Sequence, residues 1–278
     1  MITATKPPPV EAKPHISVSQ LKTYGTCPLQ WRYSRTYKPE QVGSALKFGS
    51  AFHRAVAAHL QARLEGSTLT REELLDAFDV GWNAEDADVP IKFNKSETSD
   101  GLRALAGMML DAFTAAGQPG KTLAIEMPFS CRLAPDLPVL VGYIDAISVE
   151  DNVLVVTDYK TAARRPSEDP DDLDPAQLLA YGIGLAKIGF LREFAKLPLR
   201  LQYTFITKSK SQPEVITIPL RPSRRDADRL IERTRIISKA MAQEIVYPNP
   251  GYHCASCGHQ ARCRRWPRMD TVSGGTST

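Results

Sequence analysis

A pair of aspartates and a nearby lysine stand where a chain could hold a metal ion against a phosphate. Val139–Glu150 and Val153–Lys160 are two segments rich in Val and Ile, joined by Asp151-Asn152. Asx residues at such a junction favour a tight turn. With those two residues as the loop, Glu150 faces Val153, and counting outward puts Asp145 directly opposite Asp158 on the same face. Lys160, two residues on, shares that face. Two carboxylates so placed repel each other. A divalent cation offsets the repulsion, and hard oxygen donors suit magnesium or manganese. The plainer alternative is that one aspartate ends its strand and faces water. Glu126 lies inside the apolar stretch Leu123–Phe129, either as a solvent-face residue or as a further ligand or contact to metal-bound water.

A second group of residues could hold a softer metal centre. Cys254-x-x-Cys257-x5-Cys263 offers three thiolates within ten residues. A tetrahedral zinc site would need a fourth ligand, and His253 and His259 are both near. An iron–sulfur centre is the other option, and the spacing of these three cysteines alone does not separate the two. Cys27 lies far upstream. Cys131 matches no pattern and reads as a plain buried thiol.

These residues need elements to position them. Ser17 or Ser19 fits the N-cap of a first helix. Phe48–Leu64 reads as a helix with Phe52, Val56 and Leu60 on one stripe. Thr70-Arg-Glu-Glu73 is a capping box that opens another, and Ser99–Ala116 is a third. Strands follow at Leu123–Phe129, Val139–Val149 and Val153–Lys160. A helix then runs from about Pro175 to about Phe194, ahead of strands Leu199–Thr207 and Glu214–Pro219 and a long basic helix, Arg224–Gln243. This order predicts an α/β fold with a mixed central sheet flanked by helices, rather than a doubly wound parallel sheet. Residues 66–118 form a helical insertion. One domain spans 15–268, with the cysteine segment 252–266 loop-like and with mobile tails at 1–14 and 269–278.

Taken in order, Gly49-Ser-Ala-Phe-His53, Asp145, Asp158-Tyr-Lys-Thr161 and Gln177-Leu-Leu-Ala-Tyr181 resemble the motifs of the PD-(D/E)XK nuclease superfamily. More narrowly, they resemble its RecB-type branch, over residues 17–266. The resemblance implies a PD-(D/E)XK nuclease core whose catalytic residues include Asp145, Asp158 and Lys160, and Glu126, from its place in the preceding strand, is counted with them. His53, Asp145, Asp158 and the Tyr159 backbone carbonyl would bind Mg2+ or Mn2+, and Lys160 would orient or activate the attacking water. Gln177 and Tyr181, one helical turn apart, would sit near the nucleic-acid strand. Cys27, in Tyr24-Gly-Thr-Cys-Pro28, resembles the first cysteine of iron–sulfur RecB-type nucleases, among them AddB-type subunits and CRISPR-associated exonucleases. By that likeness Cys27, Cys254, Cys257 and Cys263 would hold a structural 4Fe–4S cluster that ties the two ends of the chain together.

The implied activity is hydrolysis of DNA to 5′-phosphate products, as an exonuclease on single strands or DNA ends. Two alternatives stand beside it: a non-catalytic DNA-binding or assembly subunit that keeps the fold, and a zinc-binding nucleic-acid adaptor. Partners would be DNA and a helicase, recombination or CRISPR-adaptation protein, since the chain has no Walker A loop of its own.

Composition sets the outer bounds. The chain has 278 residues, 42% hydrophobic and 24% charged, which excludes collagen, a long coiled coil and wholesale disorder. No run of eighteen apolar residues exists, so no membrane span is expected, and the first residues lack a signal peptide's apolar core. A cytoplasmic location follows as an expectation, with free rather than bridged cysteines. Net charge is only +4, but residues 221–239 hold seven Lys/Arg against three acids, and 167–174 hold five acids and no base. The basic stretch suits phosphate contact or an ordinary solvated helix face. Tyr24, Trp31, Tyr33 and Tyr37 alternate with Arg32, Arg35 and Lys38, a pattern that serves base stacking or packing of the N-terminal arm, with Trp31 the better fit to the core.

Overall fold

The computed structural model describes residues 15–83, 88–117, 120–186, 189–194 and 196–266. In chain order its elements begin with strand β1 (His15–Ser17), helices α1 (Val18–Thr26) and α2 (Pro28–Thr36), and strand β2 (Val42–Gly43). Helices α3 (Ser44–Leu64) and α4 (Arg71–Asn83), strand β3 (Ile91–Lys92) and helix α5 (Ser99–Ala115) come next. The main strands are β4 (Lys121–Cys131), β5 (Val139–Glu150) and β6 (Val153–Ala162). Helix α6 (Ala176–Leu185), strands β7 (Leu199–Thr207) and β8 (Val215–Leu220), helix α7 (Arg224–Ala242) and the single turn α8 (Gln260–Cys263) complete the order.

Local chemistry explains many of the boundaries. Asp151 and Asn152 both take left-handed backbone, φ 47° and 62°, which a two-residue hairpin of the primed type requires. The register is therefore Glu150 against Val153, continuing to Ala146 against Thr157. Ser17 caps α1 by accepting from the Gln20 N–H, and Thr98 caps α5 through the Gly101 N–H. At the start of α4, Thr70 and Glu73 exchange backbone and side-chain bonds as a capping box.

The sheet is mixed. β4 and β5 are antiparallel, as are β5 and β6, while β6 and β7 are parallel and β7 and β8 antiparallel. Helices α1, α6 and α7 supply one apolar face of the core, with Leu21, Leu178, Tyr181 and Leu230 buried there. Helices α3, α4 and α5 supply the other, through Phe48, Phe52, Phe78 and Phe113. β6 lies between, and residues 154–159 are all buried. Burial on both faces is why that strand reads as a nearly unbroken apolar run.

The feature that shapes the site is a fork. β4 covers one edge of β5, so β1 and β6 must share the other edge. β1 pairs in parallel with residues 139–141, and β6 pairs with residues 146–150. Asp145 is the first residue beyond the β6 ladder, where β5 and β6 part. β6 continues alongside β7 as far as Ala162.

Several expectations need correction. The short strands β1, β2 and β3 have two or three residues each, too few to show a period. The helix after Pro175 ends at Leu185, and Gly189–Phe194 is a 3-10 turn. Gly182, Gly184 and Gly189 weaken the helix that its apolar run suggests. The cysteine segment is not plain loop, because Tyr252–Ser256 is a 3-10 turn and α8 follows it. Three of the six basic residues of α7 are ion-paired, Arg229 with Asp226, Arg233 with Asp174, and Arg235 with Asp136 and Glu232. Trp31 packs against the core with its ring edge-on to Tyr24 at 5.3 Å. The segments expected to be tails, 1–14 and 269–278, lie outside the described residues. Among the described residues no helix is long and apolar enough to cross a membrane.

Candidate active site

The fork delivers Asp145 to the mouth of a cleft. Its Oδ2 accepts the Tyr159 backbone N–H at 2.9 Å and lies 3.6 Å from Nδ1 of His53. His53 comes from the middle of α3, which packs across β4 and β6. Glu126 arrives from β4, where the flanking pairs are Ile125 with Ala146 and Met127 with Ile144. Glu126 has φ 46°, a left-handed conformation that costs a non-glycine residue about 1–3 kcal/mol. That departure from strand geometry accompanies a carboxylate that lines the cleft. One donor atom each of His53, Glu126 and Asp145 lies within 4.8 Å of the others.

The electrostatics of this group favour a cation. Burial, and then the nearby Lys160 ammonium, holds the His53 pKa below the usual histidine range, so the ring is neutral with a lone pair to offer. Burial raises Asp145, opposed by the Tyr159 N–H. Partial burial followed by the charges of Asp145 and Asp158 pushes Glu126 up to about 7. Without a cation, a raised carboxyl costs the fold more as pH climbs from the unfolded value of 4.5 through 7. A divalent ion held here removes that cost. Manganese at pH 8 is therefore expected to raise the melting temperature. At a hundred-fold excess over Kd the gain is about 2.7 kcal/mol, or about 5–10 °C for a domain of this size. Calorimetry on Glu126→Gln should show a smaller rise, and an equal rise would remove Glu126 from the donor set.

Asp158 sits differently from its expected partner. The ladder stops one pair short of it because the strands part. Asp158 is fully buried, with Oδ2 paired to Nζ of Lys160 at 2.5 Å. Lys160 donates to Oε1 of Gln177 at 3.1 Å, Gln177 donates to the Tyr181 hydroxyl at 2.7 Å, and that hydroxyl donates to Oδ1 of Asp158 at 3.4 Å. The four side chains thus close a ring. Gln177 and Tyr181 brace Lys160 and Asp158; Tyr181 is itself buried, while Gln177 also lines a neighbouring cavity. Burial raises the Asp158 pKa, and Lys160 opposes the rise.

His53, Glu126, Asp145 and Lys160 all line one open cleft of about 640 Å³. Its chemistry is that of carboxylates and an imidazole around a place for a hard cation, with an ammonium beside it. Residues 15–264 match the family model of the PD-(D/E)XK nuclease superfamily. The chain belongs to the PD-(D/E)XK nuclease superfamily. It is also 32% identical over 192 residues to the gene 69 protein of Mycobacterium phage D29, an alignment covering 61% of this chain and 68% of that protein. Among solved structures it is similar to a provisionally assigned exonuclease of Eubacterium rectale, at 15% identity over 94% of each chain and a TM-score of 0.42.

Within this PD-(D/E)XK chain the cysteines gather at a second place. Cys27, Cys254, Cys257 and Cys263 line one small cavity of about 60 Å³ between the N-terminal helices and the C-terminal turns. Backbone N–H groups point at the sulfurs: Asn249 to Cys27 and Gly251 to Cys254, each at 3.4 Å, and His259 to Cys257. Burial, and then the other three sulfurs, raises the Cys263 thiol. Among the described residues no three of these sulfurs and imidazole nitrogens lie within 4.8 Å of one another. Nε2 of His253 faces the Asn249 carbonyl at 2.9 Å, and Nε2 of His259 faces Ser34 at 3.4 Å. Cys131 is buried elsewhere, in the sheet core.

Sequence reasoning missed part of the cleft. Arg54 lines it and carries no spacing signal; Thr161, the last residue of the Asp158-Tyr-Lys-Thr161 motif, lines it as well. Gly49 lines it too. A Cβ there would only touch Oγ1 of Thr161 at 3.8 Å, so the fold tolerates a side chain and the glycine's effect is to keep the cleft open.

Proposed function

We propose that the protein is a Mg2+- or Mn2+-dependent deoxyribonuclease of the RecB type, acting as an exonuclease on single strands or DNA ends and leaving 5′-phosphates. The observation that carries this reading is the convergence of His53, Glu126, Asp145 and Lys160 on one open cleft. His53, Glu126 and Asp145, whose donor atoms stand together, would hold the cation; Asp158, with the Tyr159 carbonyl a further proposed ligand, is buried against Lys160, which must give way for Asp158 to reach the ion. The donors fit, being oxygens with a neutral imidazole. When bound, such a cation supplies charge stabilisation on the phosphate and a water of lowered pKa.

The chain's own residues do the rest. The Lys160 ammonium is fixed from two sides, by Asp158 and by Gln177. A cation so held can orient an attacking water and offset charge growing on the phosphate without reorganising during the reaction. Tyr181 keeps Gln177 and Asp158 in place. A non-catalytic relative would be expected to lack one of these groups, and none is lacking.

For the cysteine cavity we propose a structural 4Fe–4S cluster. Four soft thiolates and backbone N–H donors on the sulfurs suit such a centre. The rival is a single zinc held by the three C-terminal cysteines and a histidine; Nε2 of His253 and of His259 face Asn249 and Ser34, while the buried Nδ1 of His259 has no partner among the described residues.

The test is digestion of an end-labelled single strand by anaerobically purified protein with manganese. Cleavage lost on adding chelator and restored by metal is the expected outcome. Failure to cut single-stranded or duplex DNA under any metal would sink the reading. Lys160→Ala should lower kcat by about 10²–10³-fold with little change in the manganese concentration for half-maximal rate, because an ammonium is not a metal ligand. Full rate at saturating manganese would show that Lys160 only tunes metal binding.

A further inference from the structure

Lys160 and Thr161 belong to two cavities at once. On one side they line the cleft of the proposed metal site. On the other they border a second cavity of about 290 Å³, set among α1, the start of α6, β7 and α7. Anything that extends from the cleft past Lys160 enters this second space. In a polynucleotide, the groups next to a phosphate are a sugar and its base.

The lining suits a base. Leu173 and Leu230 give it apolar walls, and the half-buried ring of Phe205 gives it aromatic surface, backed by the buried Tyr203 5.7 Å away, over whose ring the Lys160 ammonium lies. Lys22 and Arg233 add positive charge, with Arg233 also paired to Asp174 at 3.4 Å. We propose that this cavity is a nucleobase subsite. The base of a nucleotide adjoining the scissile phosphate leaves its stack and lies against Phe205, with Tyr203 behind it, while Lys22 and Arg233 face the phosphate beyond it.

The proposal rests on the nuclease reading and deepens it, because it makes an unpaired strand the substrate. A base inside a duplex is stacked on both faces and paired along its edge. Moving it into a side cavity costs the energy of both contacts, whereas a single strand or frayed end loses much less. The cavity reads the presence of a base rather than its identity. The Tyr203 hydroxyl is committed to the Asp174 carbonyl at 2.9 Å, and the Gln177 amide to Lys160 and Tyr181. With those two groups committed, and Lys22 and Arg233 turned to the phosphate, stacking is the main contact left for the base, which every base can satisfy.

The experiment uses the full chain with manganese and two kinds of single-stranded oligonucleotide. One is intact, and the other carries one abasic residue moved position by position across the cleavage site. At one position next to the cut, loss of the base should lower kcat/KM about ten-fold or more. Phe205→Ala should lower kcat/KM on the intact strand by a similar factor and leave the abasic substrate unchanged. Phe205→Leu keeps most of the volume without the π face, and with an unaltered melting curve it should show the same selective loss. Equal rates on intact and abasic strands at every position would overturn the subsite, as would a Phe205→Ala loss equal on both substrates. If the wild type cuts neither strand, the nuclease reading fails separately. The subsite is then judged by fluorescence anisotropy with the same oligonucleotides, and equal affinity for intact and abasic strands would overturn it.

Discussion

Asp145→Ala and Asp158→Ala are each expected to lower DNA cleavage by about 10³-fold, the scale of several kcal/mol of lost charge stabilisation, with DNA binding largely kept. The two should fail for different reasons. Asp145 shares its neighbourhood with His53 and Glu126, so its loss should also weaken manganese binding, read by calorimetry. Asp158 is fully buried against Lys160, so its loss also releases the ammonium from one of its two holds. Asp158→Asn keeps the shape and removes the charge, which separates lost chemistry from a disturbed fold. Most of the activity remaining in folded Asp145→Ala or Asp158→Asn would remove that residue from the site.

Cys27→Ser is expected to abolish the brown colour and the broad absorption near ~400 nm of a thiolate-held cluster, and to lower the melting temperature sharply. The physical reason is distance along the chain. A centre joining Cys27 to Cys254, Cys257 and Cys263 closes a loop of more than two hundred residues. A crosslink over even about 100 residues restricts the unfolded chain by about 5 kcal/mol, and metal–thiolate bonding adds to that through linked folding. A local zinc site made of the three C-terminal cysteines and one histidine gives opposite results. Cys27→Ser would then leave the metal content unchanged, and His253→Ala or His259→Ala would lower it. Iron, sulfide and zinc analysis of these variants, prepared without oxygen, decides between them. A colourless wild type with one zinc per chain would end the cluster reading and leave the nuclease reading on its carboxylates.

By itself the sequence determined what depends on near neighbours. Asp151-Asn152 sets the hairpin and its register because the left-handed turn is a local property of Asx residues. Ser17 and Thr70 cap their helices for equally local reasons, and the order of Gly49, His53, Asp145, Asp158-x-Lys160, Gln177 and Tyr181 is written in the chain. The tertiary structure decided what depends on distant partners. β1 and β6 compete for one edge of β5, which opens the fork that separates Asp145 from Asp158, and counting along a hairpin does not include the competing strand. The packing of α6 against the sheet turns Gln177 and Tyr181 inward, onto Lys160 and Asp158. Glu126 reaches the cleft through a left-handed residue inside a strand, a conformation opposed by its own local preference and held by the surrounding sheet. Cys27 meets the C-terminal cysteines because the N-terminal helices pack beside the last turns of the chain. Each of these arrangements comes from contacts between residues far apart in sequence, whose free energy no short window contains.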